Sequence, residues 1–314
     1  MKVVITPRGF ANYGEKALKQ FDANGIDVDF NQTGLPYSAD VLLEKSKDAD
    51  GLIVGVDTID KDFLDACPNL KVICKFGVGT DNIDLEYAAE KNIFIGKTLG
   101  TNTNAVAEHV LSLMFMDAKN LFSSAKQVKE GNWIKETGRE LKGKTLGIIG
   151  FGAIGQRLAK QVSGLGMEVL VYDVIEIDKK IKEESKVKEV SYDEILQDSD
   201  YLSLHVPLNS STKNLISGYE LKKMKSTACL VNSARGGVVN EEALLNALKN
   251  GIIRSAMFDV FSQEPPVENI GLLKLDQFIL TPHTASRTEE SEQRTCHLAT
   301  SIVMEKLLVG GDKK

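Results

Sequence analysis

Short apolar runs alternate with helix-like stretches from one end of the chain to the other. In the first third the runs fall at residues 2–6, 26–30, 51–56, 71–74 and 92–96, with helical segments at 13–23, 38–46 and 84–90 between them. Strand and helix in strict alternation predict an α/β fold built on parallel sheets. A polar stretch, 98–104, precedes a long helix at 105–121 that is apolar nearly all round, the pattern of a helix buried between domains or subunits. Seven further strands are expected at 145–150, 167–173, 187–190, 201–206, 228–232, 255–259 and 278–281. The last helix, 289–309, comes too late to found a domain of its own and is expected to return to the first one. The reading is therefore a discontinuous first domain, 1–100 plus 285–314, with a second domain, 101–284, inserted into it.

The strand at 145–150 runs into Gly150-Phe151-Gly152-Ala153-Ile154-Gly155, a helix-like stretch then opens at Gln156, and the next strand closes on an acid, Asp173. Strand, G-x-G-x-x-G, helix, strand and terminal carboxylate together describe a dinucleotide site. The first glycine permits the turn, the second lets backbone approach a pyrophosphate, and the third lets helix and strand pack closely. Helix N-terminal amides then face the phosphates with about half a positive charge. Asp173 can accept from the ribose hydroxyls and repel a 2′-phosphate, and Val174-Ile175 after it supply no cation, so NAD is preferred to NADP. The second domain is thus a Rossmann NAD-binding domain. The first, doubly wound and flavodoxin-like, has no glycine fingerprint after its first strand and is left as the substrate domain.

The 314 residues suit two domains, and 42% hydrophobic with 26% charged residues is ordinary for a globular protein. A net charge of −6 argues against a general nucleic-acid binder. No run approaches the roughly 18 apolar residues of a membrane span, and the N-terminus has no signal-like apolar stretch, so a cytoplasmic protein is expected. The four cysteines show no C-x-x-C pair and no zinc spacing, which predicts reduced thiols and no metal.

Three polar motifs follow the last three strands: Asn232-Ser233-Ala234-Arg235-Gly236-Gly237, then Asp259 to Pro266 with Glu264 inside it, then Thr281-Pro282-His283-Thr284-Ala285-Ser286. Ligands of open parallel sheets bind outside the carboxyl ends of strands, so one Arg, one Glu and one His reach the same edge as the cofactor. With these motifs, the fingerprint, Gly77-Val78-Gly79-Thr80-Asp81-Asn82-Ile83-Asp84, Val106-Ala107-Glu108-His109 and His205-Val206-Pro207-Leu208, the chain resembles the D-isomer-specific 2-hydroxyacid dehydrogenases over essentially its whole length. Its opening, Ile5-Thr6-Pro7-Arg8, is most similar to short 3-phosphoglycerate dehydrogenase-like members.

The chemistry such an enzyme needs fits these residues. Arg235 presents a planar, permanently charged fork for a carboxylate. His283 can give a proton to the carbonyl oxygen in reduction and take it back in oxidation, and Glu264 beside it favours the imidazolium. The resemblance assigns the same roles to the same three positions. It also implies that Asp259 orients the nicotinamide amide and that the Val78 and Gly79 amides hold the substrate carboxylate. The cofactor-facing positions are then Gly150, Gly152, Ala153, Ile154, Gly155, Asp173, His205, Val206, Pro207, Thr212, Ala234 and Asp259. His109 and His297, on helices, read as structural.

The acid itself stays open. A phosphorylated hydroxy acid needs a second cation from the first domain, and Arg8 and Lys75 are the candidates, each equally readable as a solvated strand-end charge. Phosphoglycerate enzymes of the family often carry Arg near the position of Lys75. The readings are a 3-phosphoglycerate dehydrogenase, with a place in serine biosynthesis, and a glyoxylate or hydroxypyruvate reductase using the same three residues. In a different class stands a non-catalytic NADH-sensing scaffold like the transcriptional corepressors built on this fold. The only tryptophan, Trp133, lies where relatives make a two-fold contact, so a homodimer is expected, with a buried core tryptophan as the alternative.

Overall fold

The computed structural model describes residues 1–267 and 270–309. By contact the chain divides into two compact units, Met1–Asn102 joined by the segment from Arg287 onward, and Thr103–Ser286.

The first unit is a five-stranded parallel sheet of β1 (Lys2–Ile5), β2 (Asp27–Phe30), β3 (Gly51–Val54), β4 (Val72–Lys75) and β5 (Phe94–Lys97) in the order β2-β1-β3-β4-β5. That order is the flavodoxin-like one. Successive strand residues bury opposite faces: Val3 and Ile5 join Phe10 and Phe21 on one side, while Val4 joins Leu52 and Leu64 on the other. Ser38, Asp60 and Asp84 start their helices by accepting a backbone N–H two or three residues into the first turn. The last helix, Glu289–Val309, lays Cys296, Ala299, Val303 and Leu307 over the Val3/Ile5 face. Arg294 of that helix donates twice to the carbonyl of Thr101, at 3.0 and 2.8 Å.

The second unit is a seven-stranded parallel sheet of β6 (Thr145–Ile149), β7 (Glu168–Tyr172), β8 (Lys188–Glu189), β9 (Tyr201–Leu204), β10 (Cys229–Asn232), β11 (Ser255–Phe258) and β12 (Phe278–Leu280). The order is β12-β11-β10-β9-β6-β7-β8, the doubly wound nucleotide-binding topology with one added edge strand. The chain turns one way from β6 to β7 and the other way to β9, so the topological switch point lies at the carboxyl ends of β6 and β9.

The long helix is Thr103–Ala118, and a second helix, Leu121–Lys129, begins where the expected one ended. Asn120, in the left-handed conformation at φ 51°, breaks the run that apolarity alone would have continued. The first helix packs inside its own unit. Val110, Leu113 and Met114 lie with Leu158 and Val162 over Ile148, Val171 and Val231. In the last turn of this apolar helix sits a buried acid, Asp117, which receives both guanidinium nitrogens of Arg254 (2.7 and 2.8 Å), the Ser255 hydroxyl (2.6 Å) and the Tyr201 phenol (2.8 Å). Burial would raise the Asp117 carboxyl, but these partners hold it below the usual carboxylate range.

All four cysteines are unpaired and buried, and burial pushes the Cys67 thiol up to about 11 and Cys74 and Cys296 to about 12. Trp133 is 79% exposed, which removes the core reading. No helix among the described residues is long and apolar enough to cross a membrane.

Candidate active site

The helix after the fingerprint begins at Ala153, three residues before the point where amphipathic periodicity starts, so Gly155 belongs to its first turn. Each glycine has its own steric reason. Gly150 has φ +92°, and a β-carbon there would lie 2.5 Å from the carbonyl oxygen of His205 on the neighbouring strand end. A β-carbon on Gly155 would meet the carbonyl oxygen of Gly150 at 2.6 Å. Over Gly152 the space is open, and no side chain caps the helix it starts. An uncapped helix N-terminus under open space is what a pyrophosphate requires, so the loop fits the dinucleotide.

Strand pairing brings the rest of this edge together. Ile149 pairs with Tyr172 on one side and Leu204 on the other, so Gly150, Asp173 and His205 emerge side by side. Asp173 accepts from the amides of Phe151 (2.7 Å) and Ile175 (3.0 Å), tying the strand-end acid to the glycine turn. His205 lies between the Ser203 hydroxyl at 2.9 Å and the fingerprint, and burial pulls its imidazole down to about 4. It is neutral at physiological pH. In the following loop, which begins with Val206 and Pro207, the Thr212 hydroxyl donates to the Pro207 carbonyl (2.5 Å) and accepts from the Asn209 amide (2.9 Å).

On the other half of the sheet, Asn232, Phe258 and Leu280 share one rung, so β10, β11 and β12 end flush. The loops leaving that rung carry the Arg, Glu and His motifs. Asn232, buried, accepts from the Ala234 amide (3.1 Å) and donates to the Arg235 carbonyl (3.0 Å), closing a tight turn that projects the arginine. Glu264 accepts from the Phe261 amide through one oxygen (2.9 Å), while its other oxygen lies 2.7 Å from Nδ1 of His283. Burial raises the Glu264 carboxyl, yet His283, the Phe261 amide and nearby Arg235 together leave it below the ordinary value. The structure thus gathers Arg235, Glu264 and His283 at one sheet edge, as a fixed cation beside a carboxylate–imidazole pair that can hold and release a proton. His283 has φ +54°, a backbone conformation uncommon outside glycine and asparagine.

Two residues, Asp259 and Lys75, sit differently from expectation. Asp259, expected to reach toward a nicotinamide amide, is 1% exposed, and its carboxylate is taken up by the Thr281 hydroxyl and the Thr284 and Ala285 amides. Lys75 is 9% exposed rather than solvated. Its ammonium turns inward to the Gly55 carbonyl and to Asn82 Oδ1 at 2.6 Å, because the last residue of β4 points into the sheet edge. His109, read as structural, has Nε2 3.0 Å from the Thr281 hydroxyl. Arg8 is exposed at the start of a short helix after β1, and Val78 is exposed with Gly79 partly so. Sequence reasoning passed over Asn232 and also Glu241, whose carboxylate receives the Ser262 amide and hydroxyl at 2.7 Å each and pins the Glu264 loop. A strand-end asparagine before a small-residue turn is a usable signal for the first, whereas nothing local marks the second. Among the described residues no His, Cys, Asp and Glu cluster could hold a metal ion.

A switch-point glycine loop with an acid at the next strand end defines a dinucleotide-binding protein. Residues 111–285 match the family model described as D-isomer specific 2-hydroxyacid dehydrogenase, NAD binding domain, and the chain belongs to that family. It is 41% identical to a glyoxylate reductase of Thermofilum pendens over 84% of this chain and 80% of that one. It is also 41% identical to a D-3-phosphoglycerate dehydrogenase of Methanocaldococcus jannaschii over 93% of this chain, which spans only 55% of that longer protein. Among solved structures, D-lactate dehydrogenase of Aquifex aeolicus, complexed with NAD and lactic acid, superposes with a TM-score of 0.84 at 31% identity, covering 99% of this chain and 96% of that one.

Proposed function

We propose that this NAD-dependent oxidoreductase reduces a short, unphosphorylated 2-oxo acid, glyoxylate or hydroxypyruvate, to the 2-hydroxy acid. The observation that carries the substrate assignment is Lys75, whose inward bonds to Gly55 and Asn82 commit one of the two cations that could have held a phosphate group. The relative from Thermofilum pendens supports the same acid class.

In this reading Arg235 holds the substrate carboxylate through its planar fork. Bound NADH supplies the hydride to the carbonyl carbon. His283, its Nδ1 held by Glu264, gives a proton from Nε2 to the carbonyl oxygen, so the alkoxide never has to stand free. Run backward, the neutral imidazole removes that proton from the hydroxyl. The loop over Gly152 and the uncapped helix start would take the pyrophosphate, and Asp173 the adenosine ribose.

A second reading is a 3-phosphoglycerate dehydrogenase, favoured by exposed Arg8 and by the relative from Methanocaldococcus jannaschii. Following NADH absorbance with glyoxylate, hydroxypyruvate, pyruvate and 3-phosphohydroxypyruvate separates the two. The highest kcat/KM on glyoxylate or hydroxypyruvate is expected; the highest value on the phosphorylated acid would reverse the assignment. No turnover with any 2-oxo acid would favour a non-catalytic NADH-binding scaffold. We also propose a homodimer formed through residues 121–134, because the helix Leu121–Lys129 buries none of its residues and exposes Leu121, Phe122 and Val128 near Trp133 and Ile134.

A further inference from the structure

The imidazole of His109 projects from the helix Thr103–Ala118, its side chain 21% exposed. Its Nε2 is 3.0 Å from the Thr281 hydroxyl and 3.4 Å from Oδ1 of Asp259. The Thr281 hydroxyl has one proton and stands 2.5 Å from the Asp259 carboxylate, the stronger acceptor within its reach. That proton therefore goes to Asp259, and the hydroxyl turns a lone pair toward His109. Nε2 of His109 must then carry a hydrogen and donate it.

The Asp259 amide donates to the Asn232 carbonyl at 2.9 Å, and the other bonds of Asp259 run to the segment that carries His283. One carboxylate oxygen accepts from the Thr284 amide at 2.9 Å, the other from the Ala285 amide at 2.8 Å, and the Asp259 carbonyl accepts from the His283 amide at 2.9 Å. These bonds hold a residue at φ +54°, a conformation that persists only where its surroundings impose it. Thr281 and Asp259 belong to adjacent strand ends and are hydrogen-bonded to each other. The donor from outside that pair is His109, on a helix anchored by the buried Asp117–Arg254 pair eight residues along.

We propose that His109 is a positioning residue for the reaction: its Nε2–H fixes the Thr281 hydroxyl, which orients Asp259, which in turn sets the left-handed turn aiming His283 at the substrate oxygen. The inference rests on the assignment of His283 as proton donor. His109 touches no reacting atom in this scheme, and what it supplies is one directed hydrogen bond.

The test compares His109→Phe, which keeps a ring and removes the donor, with His109→Gln, whose side-chain amide can donate from nearly the same place. Steady-state rates are measured with NADH and the best substrate of the 2-oxo acid series. In His109→Phe kcat is expected to fall about tenfold to a hundredfold, the scale of a small misalignment of a reacting group, with KM for NADH within about threefold of the parent. His109→Gln is expected to recover most of that loss. Thr281→Val should reproduce the defect, and the His109→Phe/Thr281→Val double variant should be little worse than either single one, as for two links of one chain. Unchanged kcat in His109→Phe, or His109→Gln as impaired as His109→Phe, overturns the proposal. Should His109→Phe fail to fold, the Gln and Val variants decide it: Thr281→Val at parental kcat overturns it. His283→Ala runs alongside. Parental activity there refutes the role of His283 itself, whereas an inactive His283→Ala beside an unimpaired His109→Phe refutes only the positioning role.

Discussion

Gly236 and Phe261 meet backbone to backbone: a β-carbon on Gly236 would lie 1.9 Å from the Phe261 carbonyl oxygen and 2.5 Å from the Ser262 nitrogen. The turn presenting Arg235 is thereby seated against the loop presenting Glu264. A side chain at this glycine must push the two apart, and with them the cation and the acid that orients His283. Gly236→Ala is expected to lower kcat/KM about a hundredfold while leaving NADH affinity by fluorescence titration near the parental value. Equal kinetics in the two proteins would show that the contact does not set the geometry.

Cofactor choice is expected to follow residue 173. Asp173 bonds the Phe151 amide inside the glycine turn, so its removal costs the turn an acceptor as well as removing the negative charge that disfavours a 2′-phosphate. The double substitution Asp173→Gly/Val174→Arg should shift the ratio of kcat/KM values toward NADPH; Asp173→Asn, which retains an acceptor, separates the turn effect from the charge effect. An unchanged NADH-to-NADPH ratio in the double variant would falsify the role of Asp173.

Acid stability should carry the signature of His205. Burial lowers its imidazole to about 4, while in the unfolded chain it titrates near 6.5. Between those values the unfolded state binds one more proton than the folded state, so the contribution is fully present above about 6.5 and is lost as pH falls toward 4. The span corresponds to about 3 kcal/mol as an upper figure. Urea unfolding at a series of pH values, parent minus His205→Gln, should show this one-proton slope, and parallel curves would exclude it.

Association should depend on the exposed apolar stretch around Trp133. Sedimentation velocity at micromolar concentration is expected to show a dimer for the parent and a shift toward monomer for Phe122→Asp/Trp133→Glu. A parental monomer would remove the proposed interface.

Much of this architecture was legible because parallel strands announce themselves as short apolar runs, and because the glycine fingerprint and the Arg, Glu and His motifs are local in sequence. What escaped was set by contacts between distant residues. Asp117 and Arg254 lie 137 positions apart, and an acid inside an apolar helix looks like a flaw until its guanidinium partner arrives. Lys75 closes a strand, where a charge reads as solvent-facing, yet the inward alternation of β4 takes it to Gly55 and Asn82. The inward commitment of Asp259 was hidden in the same way, since its partners lie more than twenty residues on. The helix break at Asn120 had a local cause, a single left-handed residue, but one asparagine at the end of an apolar stretch is too common to announce it.

Thr103–Ser286 is one uninterrupted stretch that carries both the nucleotide loop and the Arg235, Glu264 and His283 loops. One crossover on each side would therefore transplant the nucleotide loop and the Arg235, Glu264 and His283 loops as a cassette, its internal registers untouched. Recombination among relatives can thus vary the flanking segments while inheriting this sheet edge intact.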